Sequence, residues 1–411
     1  VSSLLFQNFC EAANPTAKTL EDCFRAAISQ SELIGIQTQL IEQAEEKYRQ
    51  VIGGVLPNIS GTASYLVQPS SGTTIYPTSQ PLVRLTANQP LFQGLREYAA
   101  FRQAKNTIAA QSESKWQATI QLYQDTATNF YSLLALEKDL KNVQGQLKLY
   151  DQRISELNAF VSIGRSRQSE ILTAKTQREI FEAQAEQIQI QIRVLREAFQ
   201  FLTGLSKETP LEDIETLPDQ ISPLDTYLAQ VERRPDIKGA KENIKVAEEN
   251  IKIAWGNHLP NVNLIGDYYP VRYGALKTVN WDAQIVLALP IFTGGVVQSQ
   301  VRAAESQKNQ NMLTLSRIER LAKQEISSNH DTLLGDLKLV TAYQKITDIA
   351  EKTYKTQLQD YKHGLVNNID VLQALTSFQD NKRNLDRSRF SVKLDYAKIE
   401  ASVAHRPKSI E

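Results

Sequence analysis

Methionine, cysteine and histidine are scarce in this chain: one, two and four residues among 411. The histidines (His258, His330, His363, His405) and the cysteines (Cys10, Cys23) have no metal-ligand spacing, so a metal centre is not expected. No uninterrupted apolar run reaches the roughly 18 residues that a membrane-spanning helix requires. An excess of either charge is also absent, with 46 basic against 46 acidic residues and a pI of 7.1, so nucleic acid is not an expected partner. A phosphate-binding loop, a metal-binding helix motif and a nucleophile elbow are all missing, which argues against an enzyme and against a cofactor. The start, Val1-Ser2-Ser3-Leu4-Leu5-Phe6, lacks the charged and apolar regions of a signal peptide. For an exported protein this fits a mature or trimmed form.

Proline is absent from Phe292 to Arg406, and after Gly294 and Gly295 the only glycines there are Gly335 and Gly364. Proline inside a helix costs about 3 kcal/mol, so this run can be helix almost throughout. Residues 295–363 alone would make roughly 100 Å of helix at about 1.5 Å per residue. The run breaks at His363-Gly364-Leu365-Val366-Asn367-Asn368 and resumes at Ile369-Asp370-Val371-Leu372. Two long helices joined by a glycine turn form a helical hairpin.

The hairpin has a copy about 200 residues upstream. Gln89-Pro90-Leu91-Phe92-Gln93-Gly94 answers Leu289-Pro290-Ile291-Phe292-Thr293-Gly294. The turn glycine Gly164 answers Gly364, and Glu170-Ile171-Leu172-Thr173-Ala174 answers Asp370-Val371-Leu372-Gln373-Ala374. Leu56-Pro57-Asn58 answers Leu259-Pro260-Asn261, and Ala44-Glu45-Glu46 answers Ala247-Glu248-Glu249. Matches in one order point to a duplication, and the period is too long for a solenoid of about 20 to 50 residues.

Between the helices the periodicity changes to two. Ile59, Gly61, Ala63, Tyr65 and Val67 alternate with polar residues, interrupted by Leu66. Val83, Leu85 and Ala87 alternate with Arg84, Thr86 and Asn88. The second half repeats this at Val262 to Tyr268 and at Trp281 to Leu289. Each half therefore carries a β-hairpin. Aromatic residues cluster near the strand ends: Tyr65, Tyr76, Tyr268, Tyr269, Tyr273 and Trp281. Such strands fit an outer-membrane barrel, or a water-soluble sheet packed on a helix. The long helices have narrow apolar seams, such as Leu333, Leu337, Val340, Tyr343 and Ile346, beside much Gln, Asn, Ser and Thr. A water-filled inner face accounts for that excess; an antiparallel coiled-coil scaffold without a channel is the alternative function.

The order helix, Leu-Pro-Asn into strand, strand, Pro-(Leu/Ile)-Phe-x-Gly into a very long helix, glycine turn and (Ile/Val)-Leu-x-Ala into a second long helix occurs twice. In this the chain resembles the TolC-like outer-membrane efflux proteins, over about Leu20 to Val403. The resemblance implies a mainly α fold with a transmembrane β-barrel. An N-terminal equatorial segment (1–30) leads to a helix (31–54), a barrel hairpin (55–92) and a periplasmic helical hairpin (93–204). A linker or equatorial segment (205–233) is followed by a helix (234–258), a second barrel hairpin (259–292), a second helical hairpin (293–403) and a tail (404–411). It further implies a homotrimer with a twelve-stranded barrel in outer-membrane lipid and a helical tunnel in the periplasm. Such a trimer is the exit duct of a tripartite efflux pump or type I secretion system. Its partners are a periplasmic adaptor and an inner-membrane transporter of RND or ABC type.

By the same resemblance the periplasmic tips are the glycine turns, with adaptor docking around Gly164, Gly364, Ile163, Leu365 and Val366. Asp370 matches a carboxylate inside the closed end of the tunnel, and Glu170 is its first-half counterpart. Gln373 stands where some members have a second acidic residue, which weakens a cation-selective ring. Tyr361 matches an aromatic residue that ties the closed tip. Its basic partner is replaced by Val366, and Arg165 and Arg167 lie instead in the first turn. In an oxidising periplasm the even pair Cys10 and Cys23 is expected to form a disulfide. Gln7-Asn8-Phe9 does not supply the small residue of a lipid-anchored cysteine.

Overall fold

A computed structural model describes residues 17–68, 79–216, 221–273 and 276–404. The elements are α1 (Leu20–Gln30), α2 (Glu32–Gly53), β1 (Asn58–Val67), β2 (Ser79–Gln93), α3 (Arg96–Ser162) and α4 (Gln168–Thr203). There follow α5 (Leu224–Leu228), a 3-10 turn (Val231–Arg233), α6 (Pro235–Gly256), β3 (Asn261–Arg272), β4 (Trp281–Ala288), α7 (Val296–Lys362) and α8 (Asn368–Ser402). The duplication is now geometric. Helices α3 and α7 are both 67 residues long, and each starts and ends at positions 200 apart. Tyr76, His405 and Cys10 lie outside the described residues.

The chain divides into two compact units. One holds the segment ending at Ile34, Ala118–Arg234 and the segment beginning at Leu321. The other holds Gly35–Gln117 and Pro235–Arg320.

The second unit contains one antiparallel sheet in the order β1-β2-β3-β4. The register puts Ile59 opposite Ala87, Gly61 opposite Leu85, Leu85 opposite Tyr268, and Leu264 opposite Ile285. Because side chains alternate across a strand, the alternating apolar residues, among them Ile59, Leu85, Leu264, Tyr268, Trp281 and Ile285, share one face, while Leu66, Ile265 and Val286 fall on the other. Thr62, Arg84, Thr86, Asp267, Asp282 and Gln284 share the other. On that polar face Thr86 donates to Asp267 at 2.5 Å, and Arg84 lies 3.8 Å from the same carboxylate. The apolar face is bare: Ile59, Trp281 and Ile285 are each about 70% exposed. Strand β2 is longer than the alternation alone indicated and contains Pro81 and Pro90. A register shift between Pro90 and Phe92 absorbs the missing ladder donor. Beside it, α6 approaches the β2–α3 turn closely. A Cβ at Gly94 would stand 2.4 Å from the Gly256 carbonyl oxygen, and Gly94 also has φ +69°, so glycine is required there.

The core of the first unit lies where α3, α4 and α8 meet, around Val143, Tyr150, Leu157, Ile171, Phe181 and Leu375. A second cluster joins α1 to α3, α4 and α8 through Leu20, Cys23, Phe130, Leu133, Phe199 and Ala397. Helix α1 starts with a capping box in which Asp22 N donates to Thr19 Oγ1 at 3.3 Å and Thr19 N donates to Asp22 at 3.3 Å. This sets Cys23 on the inward face, fully buried and a free thiol. Its expected disulfide partner, Cys10, lies outside the described residues; Cys23 itself is packed among apolar side chains such as Leu20, Phe130 and Phe199. The apolar seam read along α7 is uneven: Leu333 is buried and Leu337, Val340 and Tyr343 are half-buried, whereas Ile346 is exposed.

Candidate functional site: the two glycine turns

Both helical hairpins of the first unit turn in the same way. Gly164 N donates to Val161 O at 3.0 Å and Arg165 N to Phe160 O at 2.8 Å. In the second turn, Gly364 N donates to Tyr361 O at 3.0 Å and Leu365 N to Asp360 O at 2.9 Å. These bonds satisfy carbonyls left open at a helix end. They require a left-handed residue, supplied by Gly164 at φ +75° and Gly364 at φ +74°. The turns expose Ile163, Leu365 and Ile369, while Val366 is half-buried.

The two carboxylates that follow the turns differ in use. Asp370 accepts a hydrogen bond from Asn367 N at 3.0 Å and so caps α8, where a negative charge also suits the helix dipole. Glu170 reaches across instead. Its Oε2 accepts from Tyr361 Oη at 2.9 Å and from Ser166 Oγ at 2.9 Å. Burial, with the neighbouring Glu170 carboxylate adding to it, pushes the Tyr361 phenol above its ordinary value. Gln373 is exposed and Asp370 half-buried.

The basic group at this site is one that the motif comparison missed. Arg153, on α3, is buried and donates from Nε and Nη2 to Asn368 Oδ1 at 2.9 and 2.7 Å. Its guanidinium lies 4.1 Å from the centroid of the Tyr361 ring, and it pairs with Glu156 at 3.0 Å. A cation over a tyrosine face contributes about 0.5 to 2 kcal/mol, more when desolvated. Arg165 instead lies over Phe160 at 5.8 Å, and Arg167 is exposed and makes no side-chain cap to α4. Within one chain, then, Tyr361 and Glu170 are bonded to each other, and Arg165 lines the same cavity with Phe160, Glu170 and Tyr361, whereas Arg167 is not among its lining residues. Arg153 sits about three turns before the glycine, and no local signal marks it as buried. Only its spacing from Tyr150 and Leu157, on the inward face, hints at it.

Above the tip, α3 and α8 meet through buried polar groups. Tyr150 Oη lies 2.9 Å from Thr376 Oγ1, and Asn142 donates to Asp386 at 2.8 Å. Arg383 holds Asp139 through two bonds of 2.6 and 3.1 Å, and Arg387 adds a third of 2.5 Å. Burial would raise the Asp139 carboxyl, but these arginines outweigh it and hold it below the usual carboxylate range. Among the described residues no cluster of metal-ligating side chains occurs.

This duplicated frame agrees with a known family. A family model described as outer membrane efflux protein matches residues 25–203 and 229–404, one block in each half. The chain belongs to that family. Outer membrane efflux protein BepC of Brucella suis is 21% identical over 355 residues, covering 83% of this chain and 74% of BepC. Outer membrane protein TolC of Escherichia coli is 22% identical over 297 residues, covering 68% of this chain and 60% of TolC. The crystal structure of the outer membrane protein VceC from Vibrio cholerae superimposes with a TM-score of 0.83 at 19% identity. That likeness covers 94% of this chain and 96% of VceC. As a family member, the chain is an outer-membrane efflux channel protein whose long helices form the periplasmic part.

Proposed function

We propose that three copies of the chain form the exit duct of a tripartite efflux pump or type I secretion system. In this reading a periplasmic adaptor and an inner-membrane transporter of RND or ABC type deliver the substrate, and no chemistry is done on it. The observation that carries the reading is the sheet. It has one apolar exposed face, one polar face, and no strand beyond β1 or β4 among the described residues. An open edge in hydrocarbon would leave backbone groups unsatisfied, so a membrane sheet must close. Three copies supply twelve strands, an even number in the range for such barrels. A water-soluble coiled-coil scaffold would have no use for a bare apolar sheet face, since each large apolar side chain left in water forfeits about 1.5 to 3 kcal/mol.

At the glycine turns, Ile163, Leu365 and Ile369 offer the exposed apolar surface on which an adaptor would dock. Tyr361, Glu170 and Asp370 would form the resting constriction, with Gln373 leaving any cation-selective ring weaker. The test is the mass in detergent, corrected for bound detergent, together with conductance in planar bilayers. Three times 46.3 kDa with channel activity is expected. A conducting monomer would overturn the reading.

A further inference from the structure

One cavity of the second unit belongs neither to the sheet nor to the turns. It has a volume of about 500 Å³ and is bounded by α3, α6 and α7. Small-molecule sites commonly measure about 300 to 1,000 Å³. Helix α6 lines it with Asp236, Gly239, Asn243, Ala247 and Asn250, which helical spacing places on one face. At Gly239 this helix lies against α3, since a Cβ there would stand 3.5 Å from that of Glu113. On the other side Asn311 Nδ2, from α7, donates to Asn243 O at 3.0 Å. The duplication shows that this face is particular to the second half. The shift of 203 that aligns Ala247-Glu248-Glu249 with Ala44-Glu45-Glu46 sets Gly239 and Asn243 against Ile36 and Leu40 of α2. Where α2 has large aliphatic side chains, α6 has a hydrogen and an amide.

The lining is amide-rich and acidic. Gln117, Asn243, Asn250, Gln307 and Asn311 contribute amides, Glu113 and Asp236 carboxylates, and among the described residues no basic side chain lines the cavity. Lysines of α6 and α7 are taken up by other carboxylates: Lys245 pairs with Glu242 at 2.6 Å and Lys308 with Glu248 at 3.0 Å. Asp236 is occupied as well. It lies in the first turn of α6, where the helix dipole favours it, and accepts from Ile237 N at 2.9 Å. Glu113 has no such use. It is half-buried, as are Gln117 and Asn250, and none of the three makes a side-chain hydrogen bond or ion pair among the described residues. Val246, Ala247 and Ile318 add apolar wall. The geometry points to a binding site for an organic cation. Glu113 pairs with its charge, the amide oxygens accept its N–H groups, and the apolar wall holds its body. An opposite charge at this distance offsets what half-burial costs the carboxylate. The inference rests on the exit-duct reading above, in which such a cation is cargo in transit.

The test titrates ethidium, an organic cation bearing aryl amines, into the full chain purified in detergent and follows fluorescence anisotropy. Anionic fluorescein is the charge control. Saturable binding of ethidium and little binding of fluorescein are expected. Glu113→Gln keeps the shape and removes the charge, and should weaken ethidium binding about tenfold, the order of one charge-assisted contact. Asn243→Leu installs the side chain that α2 carries at Leu40 and narrows the cavity. It should weaken ethidium at least as much while the circular dichroism of the chain stays that of the parent. Absence of saturable ethidium binding, parental affinity in both variants, or equal binding of fluorescein overturns the site. So does an oligomer that falls apart in Asn243→Leu, because a second copy would then cover the cavity. Conductance of the same preparation in planar bilayers reads the duct separately. A conducting oligomer that does not bind ethidium removes the site and leaves the duct. A chain that binds ethidium through Glu113 but never conducts removes the duct and leaves the cation site.

Discussion

Arg153 holds the tip through three partners at once: two bonds to Asn368, an ion pair with Glu156 and a cation–π contact with Tyr361. Replacing it with Ala strands the Asn368 amide oxygen in a buried site, a penalty of about 1 to 3 kcal/mol. It also frees the Tyr361 ring. Arg153→Ala is therefore expected to raise resting conductance in planar bilayers more than Arg165→Ser with Arg167→Ser, because Arg153 both bonds Asn368 and lies over the Tyr361 ring, while Arg165 lies over Phe160. Equal effects, with the oligomer intact, would remove Arg153 from the constriction. Tyr361→Phe keeps the ring under the guanidinium but loses the bond to Glu170, so its effect should lie between the two. The sequence motif pointed to Tyr361 and Glu170 because both flank the turns. It could not point to Arg153, whose role depends on which helix face is inward, and an arginine on a long polar helix reads first as solvated.

Cys23 gives a second residue-level test. Burial pushes its thiol from an ordinary value of 9.0 up to about 12. A group whose proton is held more tightly in the folded state contributes its stability below the unfolded value and loses it as pH rises through the folded one. Cys23 should thus be inert to thiol reagents at neutral pH in the native protein. It should also add an alkaline destabilisation beginning near pH 9 and growing toward about 12. Rapid labelling of Cys23 at neutral pH without denaturant would contradict the buried placement.

Between elements, the α3–α8 seam shows what burial does to charge. Asp139 is held below the usual carboxylate range by Arg383 and Arg387, so its contribution is present above its unfolded value and disappears as pH falls through the lowered one. Asp139→Asn leaves a buried Arg383 without its counter-ion, and removing one partner of a buried pair costs about 3 to 5 kcal/mol. Exchanging both, with Asp139→Leu and Arg383→Met, is expected to recover most of the loss. Thermal melts of the two variants in detergent would check this; a double variant as unstable as the single one would mean that packing, not the unpaired charge, sets the cost. The seam was hardly legible beforehand. Asp139, Asn142 and Gln146 on a long helix look like part of a water-facing stripe, and only the partner α8 makes them interior. The strands were easier, because period-two alternation survives Leu66 and even Pro81 and Pro90. The proline at position 90 falls where the β2–β3 register slips, which is how a strand longer than the alternation suggested is accommodated. The glycine turns were legible to within a few residues, since only a left-handed residue closes them.

For the whole molecule, the apolar face of the sheet should meet lipid and the polar face water. Arginine on a lipid face at the midplane costs about 2 to 4 kcal/mol in such barrels, whereas lumen positions are tolerant. Ile285→Arg is accordingly expected to depress assembly in the outer membrane, and Gln284→Arg to leave it near the parent level. Spin labels at the two parities should report lipid contact at Ile285 and Leu287 only; equal contact at Gln284 and Val286 would contradict the barrel. The turn at Gly364 raises a charge problem. Three-fold symmetry would bring three Asp370 carboxylates near one axis, where like charges disfavour the ionised form. Each carboxylate also caps its own α8, so Asp370→Ala confounds two effects: loss of ring charge, and loss of a cap that stabilises by about 0.5 to 2 kcal/mol. Asp370→Asn separates them, because the amide keeps an oxygen for the Asn367 N–H and gives up the charge. If the ring selects cations, Asp370→Asn should lower cation preference and divalent-ion block in bilayers while leaving the melting temperature close to the parent. If Asp370 serves only as a cap, Asp370→Asn should conduct and select like the parent, and only Asp370→Ala should lose stability. Gln373 sets a ceiling on the first outcome, since a single carboxylate ring gives a smaller change in selectivity than two stacked rings. Gln373→Glu should restore the second ring and strengthen divalent block in the parent, yet restore only part of it in the Asp370→Asn background.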